Sequence, residues 1–280
     1  MKAARRKGAE LLTDIREARD QSDQFHLWWL GQSGFLIQWQ DQHLLIDPYL
    51  SDSLTHKYAN TDKPHVRVTE QVIGPADLNF IDVVTSSHNH TDHLDAETLI
   101  PLMRVNEAMD VIVPAANQAF AAERLAVPED RLTSIDANQS IEAGVFTIHA
   151  LPAAHNTLDQ DEQGRHKYLG YVFTFGDHAL YHSGDTLLYD GLAARLLHYD
   201  LDVAILPING NKPERRVAGN LSGLEAAELA DQIAAGVVIP CHYDMFAFNT
   251  ASPRLFKEEC EGLGQRYAVL EQGERWSSDR

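Results

Sequence analysis

The segment Ser86-Ser87-His88-Asn89-His90-Thr91-Asp92-His93-Leu94-Asp95 carries the densest chemistry in the chain. It leaves an apolar run, Ile81 to Thr85, that reads as a buried strand. On an extended segment, residues two apart project to the same side. His88 and His90 can therefore hold one metal ion through imidazole nitrogens. Asp92 and His93 follow as the chain turns toward a helix, so they can aim at a neighbouring point. His-x-His-x-Asp-His is thus a compact ligand set for one or two divalent ions. Three later positions offer further donors, each just after an apolar run. His155 follows Phe146 to Leu151, Asp185 follows Ala179 to Tyr181, and His242 follows Val237 to Pro240. Each alone reads as an ordinary surface or core residue. As an ordered series they read as a site, because sites in layered α/β folds gather at strand ends.

The elements that must position these residues are legible from pattern and punctuation. Phe25 to Leu30, Phe35 to Trp39 and His43 to Ile46 read as a β-meander, with turns at Gly31-Gln32-Ser33-Gly34 and Gln40-Asp41-Gln42. Strand–helix units follow: Ile81 to Thr85 with a helix over Asp95 to Arg104, capped by Asp95, then Val111 to Val113 with a helix over Ala115 to Leu125. Ile141 to Leu151 reads as a hairpin, and Tyr168 to Phe175 pairs with Ala179 to Tyr181. A helix over Leu187 to Leu197 precedes a strand over Val203 to Leu206. Ser222 to Ala235 is predicted helical, with a Ser222/Glu225 capping box and Leu224, Leu229 and Ile233 near one face. Val237 to Pro240, a helix over Pro253 to Glu261, and strands near Tyr267 to Leu270 and Arg275 to Trp276 complete the order. The expected fold class is α/β, a four-layer αββα sandwich of two mixed sheets covered by helices. Periodicity alone does not separate it from an open doubly wound sheet. One domain over 1–280 is expected, with a surface helix over Ala3 to Arg19 within residues 1–24.

Composition narrows the function. Lys and Arg total 23 against 41 Asp and Glu, a formal charge of −18. Such a chain lacks the positive footprint that phosphate backbones demand, so no nucleic-acid partner is expected. Attraction to an anionic membrane is disfavoured on the same ground. No run approaches the length of a membrane span, and the basic N-terminus is not followed by a signal-length apolar stretch. Two cysteines, Cys241 and Cys260, do not make a disulfide framework. A reduced, cytoplasmic protein acting on a small molecule is expected; a homo-oligomer stays open.

The motif series resembles the metallo-β-lactamase superfamily: a strand ending in Leu45-Ile46-Asp47, then His-x-His-x-Asp-His, then single His, Asp and His. The likeness runs from Phe25 to Asp244. Further stretches resemble the L-ascorbate-6-phosphate lactonase group: Trp28-Trp29-Leu30-Gly31, Tyr181-His182-Ser183-Gly184-Asp185, and Val238-Ile239-Pro240-Cys241-His242-Tyr243-Asp244. This chain is shorter than those enzymes, and it has His155 where they carry Asp. The resemblance implies two divalent metal ions, Zn²⁺ or Mn²⁺ with Fe²⁺ compatible. His88, His90 and His155 would hold one, Asp92, His93 and His242 the other, and Asp185 would bridge. The ions would share a water and lower its pKa, giving a hydroxide that attacks a carbonyl or phosphoryl centre. Asp92 would also act in catalysis by accepting or relaying a proton.

Outside the ligand set, the residues leave alternatives open. Asp47 reads either as the residue that orients a ligand or the motif loop, or as a turn residue before Pro48. In the loop Asn209 to Arg216, Arg215 and Arg216 read as a fork for carboxylate or phosphate, or as a solvated charged loop. Asn209 and Asn211 could meet a sugar-like hydroxyl. Tyr243 could polarise an oxyanion or simply pack. The expected activity is a metal-dependent hydrolase opening a lactone or related ester of a small, phosphorylated or otherwise anionic, sugar-like substrate. The alternatives are a phosphodiesterase on a small substrate and, further off, a di-iron redox protein on the same fold.

Overall fold

The structure, a computed structural model, describes residues 1–279. The aromatic meander forms as β1 (His26–Gly31), β2 (Gly34–Trp39) and β3 (Gln42–Ile46), each antiparallel to the next. The sheet then turns parallel through β4 (Val83–Thr85), β5 (Asp110–Pro114) and β6 (Thr133–Ile135). A second, six-stranded sheet holds β7 (Ser140–Ala143), β8 (Phe146–Pro152), β9 (Leu169–Phe175), β10 (His178–His182), β11 (Val203–Pro207) and β12 (Val237–Cys241) in reverse spatial order. Finally β13 (Arg275–Ser277) returns to the first sheet and pairs with β1.

Alternation along the strands explains the layering. Leu27, Trp29, Phe35, Ile37, Leu44, Ile46, Val83 and Ile112 pack with residues of the second sheet in one buried cluster. Their neighbours Trp28, Leu30, Leu36, Leu45, Val84, Val111 and Val113 point the other way, into a second cluster. That is the period of two expected of strands buried on both faces. The second cluster is completed by α1 (Ala9–Ala18), α3 (Ala96–Val105) and α4 (Gln118–Leu125). On the far side, α5 (Leu192–Leu196), α6 (Gly223–Gln232) and α7 (Arg254–Leu263) cover the second sheet through residues such as Leu196, Leu229 and Phe256. The layers are therefore helix, sheet, sheet, helix, and the open doubly wound alternative is excluded. A short α2 (Ser53–Tyr58) lies outside them, in the loop after β3. No helix among the described residues is long and apolar enough to cross a membrane.

Several elements differ from the sequence reading. The first helix begins at Ala9, not Ala3, because the preceding chain is tied down by Lys2 N–H to Val68 O and Gly8 N–H to Val72 O, and Gly8 takes φ 52°. The helix expected over Leu187 to Leu197 shrinks to α5. Leu187 N–H donates to Ala154 O, the Tyr189 hydroxyl to Pro152 O, and Gly191 takes φ 91° before the helix can start. Tyr267 to Leu270 forms no strand and keeps a single bridge to Val238. Asp95 stands at the N-cap of α3, but its carboxylate accepts from the hydroxyls of Ser51, Ser53 and Thr98 instead of a helix amide. On α6, Leu229 and Ile233 are buried while Leu224 is exposed.

The capping box of α6 is present in both directions: Ser222 N–H donates to the Glu225 carboxylate at 2.7 Å, and Glu225 N–H to Ser222 Oγ at 3.3 Å. Ser222→Ala is expected to destabilise the fold by about 1 kcal/mol, read from the denaturation midpoint at unchanged m-value.

Candidate metal centre

Strand direction gathers the site. β8 and β10 are each antiparallel to β9 and so run together, and β10, β11 and β12 are parallel. Their carboxyl ends share one edge. His155 lies three residues past β8, Asp185 three past β10, and His242 immediately past β12. In the first sheet, Asp47 comes immediately after β3 and His88 three residues after β4. Packing the sheets face to face brings these ends to a common point.

There the donor atoms form three overlapping groups, each with its atoms within 4.8 Å of one another: His88, His90 and His155; His88, His93 and Asp185; Asp92, His93 and His242. Asp185 lies between the others. One of its oxygens is 3.4 Å from His93 Nε2, and the second is 3.6 Å from His155 Nε2 and 3.5 Å from His242 Nε2. All seven residues expected as ligands from sequence are therefore brought together. His88 Nε2, His93 Nε2 and Asp185 Oδ1 are buried without a hydrogen-bond partner among the described residues. Unpaired buried polar atoms cost roughly 1–3 kcal/mol each, so a convergent set of imidazole nitrogens and a carboxylate is the donor chemistry of a divalent cation site.

The electrostatics agree. Burial opposes a charge on His93, but the carboxylates of Asp185, Asp92 and Asp47 outweigh it and hold its pKa well above the usual value. Burial and then the neighbouring His93 and His90 push His88 well below. Burial likewise opposes charge on Asp185, yet His93 and His242 keep it ionised. The cluster draws positive charge toward its centre while refusing protons at its edge.

Surrounding residues fix the donors. Asp47 accepts from Ser87 N–H at 2.7 Å and Ser87 Oγ at 2.5 Å, and meets His93 Nδ1 at 2.6 Å. Asp47 turns the chain at φ 42° just after β3, and the same carboxylate lies against His93 and the motif loop. His155 Nδ1 meets Gly219 O at 3.0 Å. Each contact leaves the opposite ring nitrogen, Nε2, facing the cluster. Gly184 takes φ 58°, and a Cβ there would sit 2.6 Å from Leu169 O and 2.8 Å from Ser87 Cβ. Only glycine lets the chain leading to Asp185 pass so close to the motif loop.

A profile of the beta-lactamase superfamily domain matches residues 42–243. The chain belongs to the metallo-β-lactamase superfamily. A metal-dependent hydrolase of Hyperthermus butylicus is 25% identical over 254 residues, covering 88% of this chain and 96% of that protein. An Escherichia coli protein named "Probable L-ascorbate-6-phosphate lactonase UlaG" is 25% identical over 278 residues, covering 88% and 77%. Among solved structures, Igni18, a metallo hydrolase of Ignicoccus hospitalis, shares the fold with a TM-score of 0.66 at 21% identity, over 92% of this chain and 99% of that one.

Above the cluster of this metallo-β-lactamase-fold chain lies a cavity of about 370 Å³. His90, Asp92, His155, Asp185 and His242 line it, with Lys57, Lys63, Arg124 and Arg216 around them. Of the residues the sequence offered for substrate, Arg216 reaches this wall, paired with Asp62. Arg215 does not: its guanidinium staples the loop by donating to Asn209 O, Asn249 Oδ1 and Thr250 O. Asn209 is buried and bonded to Asn220 and Asn249. Asn211 lies against Gly219, outside the lining. Tyr243 is a packing residue, stacked 4.4 Å from Trp29 with its hydroxyl donating to Leu270 O. An oxyanion role for it is corrected on that ground. His182 bonds to Ser33 O and Gly184 N–H, supporting the turn before Asp185.

Two residues in direct contact with the donors escaped the sequence reading. Gln32, in the first hairpin turn at φ 51°, donates to Asp92 Oδ2 at 2.9 Å and lies 3.1 Å from His242 Nε2. Tyr168 stands edge-on or tilted to His88, His90 and His155 at 5.2–6.0 Å. The only signal for Gln32 was its place in a tight turn at a strand end; Tyr168 carried none.

Asp47→Asn keeps the shape but removes the charge that orients His93. It is expected to weaken divalent-metal binding roughly 10–100-fold, measured by chelator competition against the unchanged protein. Equal affinity would show that Asp47 acts on the loop alone.

Proposed function

We propose that this chain opens lactones or related esters of small, anionic, sugar-like molecules, with two divalent ions held in the cluster. His88, His90 and His155 would hold one ion, Asp92, His93 and His242 the other, with Asp185 between them. Zn²⁺ and Mn²⁺ both suit such a donor set, and Fe²⁺ is compatible. Bound there, the ions supply an acidified water and Lewis acidity toward a carbonyl. The residues of the chain do the rest. Asp92, steadied by Gln32, stands at the cavity where it can accept or relay a proton. Lys57, Arg124 and Arg216 give the cavity a positive rim within a chain of formal charge −18, which favours a small anion over a polyanion.

The observation that carries the proposal is the convergence of unpaired His88 Nε2, His93 Nε2 and Asp185 Oδ1 beside that cationic cavity. The choice of a lactone leans on the likeness to the Escherichia coli protein named above. A phosphodiesterase would use the same donors, so both substrate classes belong in one experiment.

Protein reconstituted with Zn²⁺ or Mn²⁺ is expected to hydrolyse δ-gluconolactone in a pH-stat assay and to lose that activity on chelation. His90→Ala is expected to lower kcat/KM by at least about 100-fold. Turnover unchanged in that variant would sink the site assignment. Preference for bis(p-nitrophenyl) phosphate would move the reading to a phosphodiesterase, and bound iron with a visible band would favour redox chemistry.

A further inference from the structure

The loop from α2 to β4 brings a histidine to the cavity that belongs to neither donor group. His65 lines the same cavity as His90, Asp92 and His242. Its chain segment is strapped to the segment following His242: Ala247 N–H donates to Val66 O at 2.8 Å, Val68 N–H to Met245 O at 2.9 Å, and Thr69 Oγ1 to Asp244 O at 2.5 Å. The ring is held on three sides, by Tyr58 at 4.5 Å and by Phe246 and Phe248 at 5.2 Å each. Thr55 Oγ1 fixes the backbone through His65 O at 2.6 Å. So the position of His65 is set from two loops at once.

Its hydrogen bonding sets the tautomer. Nδ1 lies 2.8 Å from Lys63 O, and a carbonyl only accepts, so Nδ1 carries the proton. Burial keeps the ring below the usual imidazole pKa, hence neutral near pH 7. A neutral ring protonated at Nδ1 presents Nε2 as an acceptor. No group among the described residues is hydrogen-bonded to that nitrogen. The cations on the same wall, Lys57, Lys63, Arg124 and Arg216, have donors only. The wall therefore pairs donors for an anionic group with an acceptor for a hydroxyl.

We propose that His65 is a specificity-determining residue whose Nε2 accepts a hydrogen bond from a hydroxyl of the substrate, selecting hydroxylated acids and their lactones over unhydroxylated ones. This rests on the hydrolase reading of the site, but its test does not need turnover. The probes are gluconate and hexanoate, carboxylates of equal chain length with and without hydroxyls, titrated into the Zn²⁺-loaded protein by calorimetry. The parent protein is expected to bind gluconate at least about 10-fold more tightly than hexanoate. His65→Phe keeps the aromatic packing and should abolish that preference, with hexanoate affinity unchanged; His65→Gln keeps an acceptor and should retain most of it. In the unaltered protein, the ¹⁵N resonance of His65 Nε2 should move with gluconate and stay put with hexanoate, which keeps the test open if a variant folds poorly. A parent protein without the preference, a Phe variant that keeps it or loses both ligands equally, or an unmoved Nε2 signal would overturn the proposal. If δ-gluconolactone is not hydrolysed while the binding pattern holds, the lactone reading fails and His65 stands. If it is hydrolysed and the pattern is missing, His65 fails alone.

Discussion

Everything at the metal centre depends on the common direction of strands in two sheets packed over one apolar layer. β3 and β4 end on the same edge as β8, β10 and β12 because the sheets meet through Phe35, Ile37, Phe146 and Ile148 in a single cluster. Slipping any of these strands by one residue would exchange the sets it presents to the two faces of its sheet and carry its donor away. The period of two that buries the strands is therefore the same constraint that aims the histidines. Distances of 3.4–3.6 Å around Asp185, contributed by loops far apart in sequence, rest on it.

The site is also where the backbone departs from easy conformations. Gln32, Asp47 and His242 all have positive φ, of 51°, 42° and 62°, and all touch the cluster. Non-glycine residues in that region cost of the order of 1–3 kcal/mol each and persist only where neighbours over-determine them. The neighbours are present. Asp47 is clamped by Ser87, Gln32 O accepts from the His242 amide and from Trp29 Nε1, and Tyr243 is stacked beneath Trp29. Strain and unpaired nitrogens are concentrated in a few residues, and the two apolar clusters supply the stability that tolerates them.

What the sequence made legible was local. His-x-His-x-Asp-His states its own geometry once it is known to follow a strand, and the alternating aromatics of the meander state theirs. The donors further along were readable because a strand end is a local event too. What failed was the inference that a residue next to a donor shares its direction. Tyr243 follows His242 and points away, into Trp29, because the chain leaves β12 at Cys241 and turns at His242, which has φ 62°. Arg215 and Asn209 lie in a loop near the rim, but both are used inside it: Arg215 donates to the carbonyls of Asn209 and Thr250, and the Asn209 amide pairs with those of Asn220 and Asn249. Gln32, Tyr168 and His65 were missed for the converse reason. Their place beside the cluster comes from turns and straps that only the packed molecule defines.

The strap between residues 65–69 and 244–247 divides the labour of the molecule. The donors hang from the sheets, whereas Leu54, Lys57, Tyr58, Lys63, His65 and Asn249 on the cavity wall hang from loops stitched to one another outside the layers. No strand contributes to this part of the wall. The donors are thus placed by the two sheets, and much of the space above them is shaped by chain that the sheets do not hold.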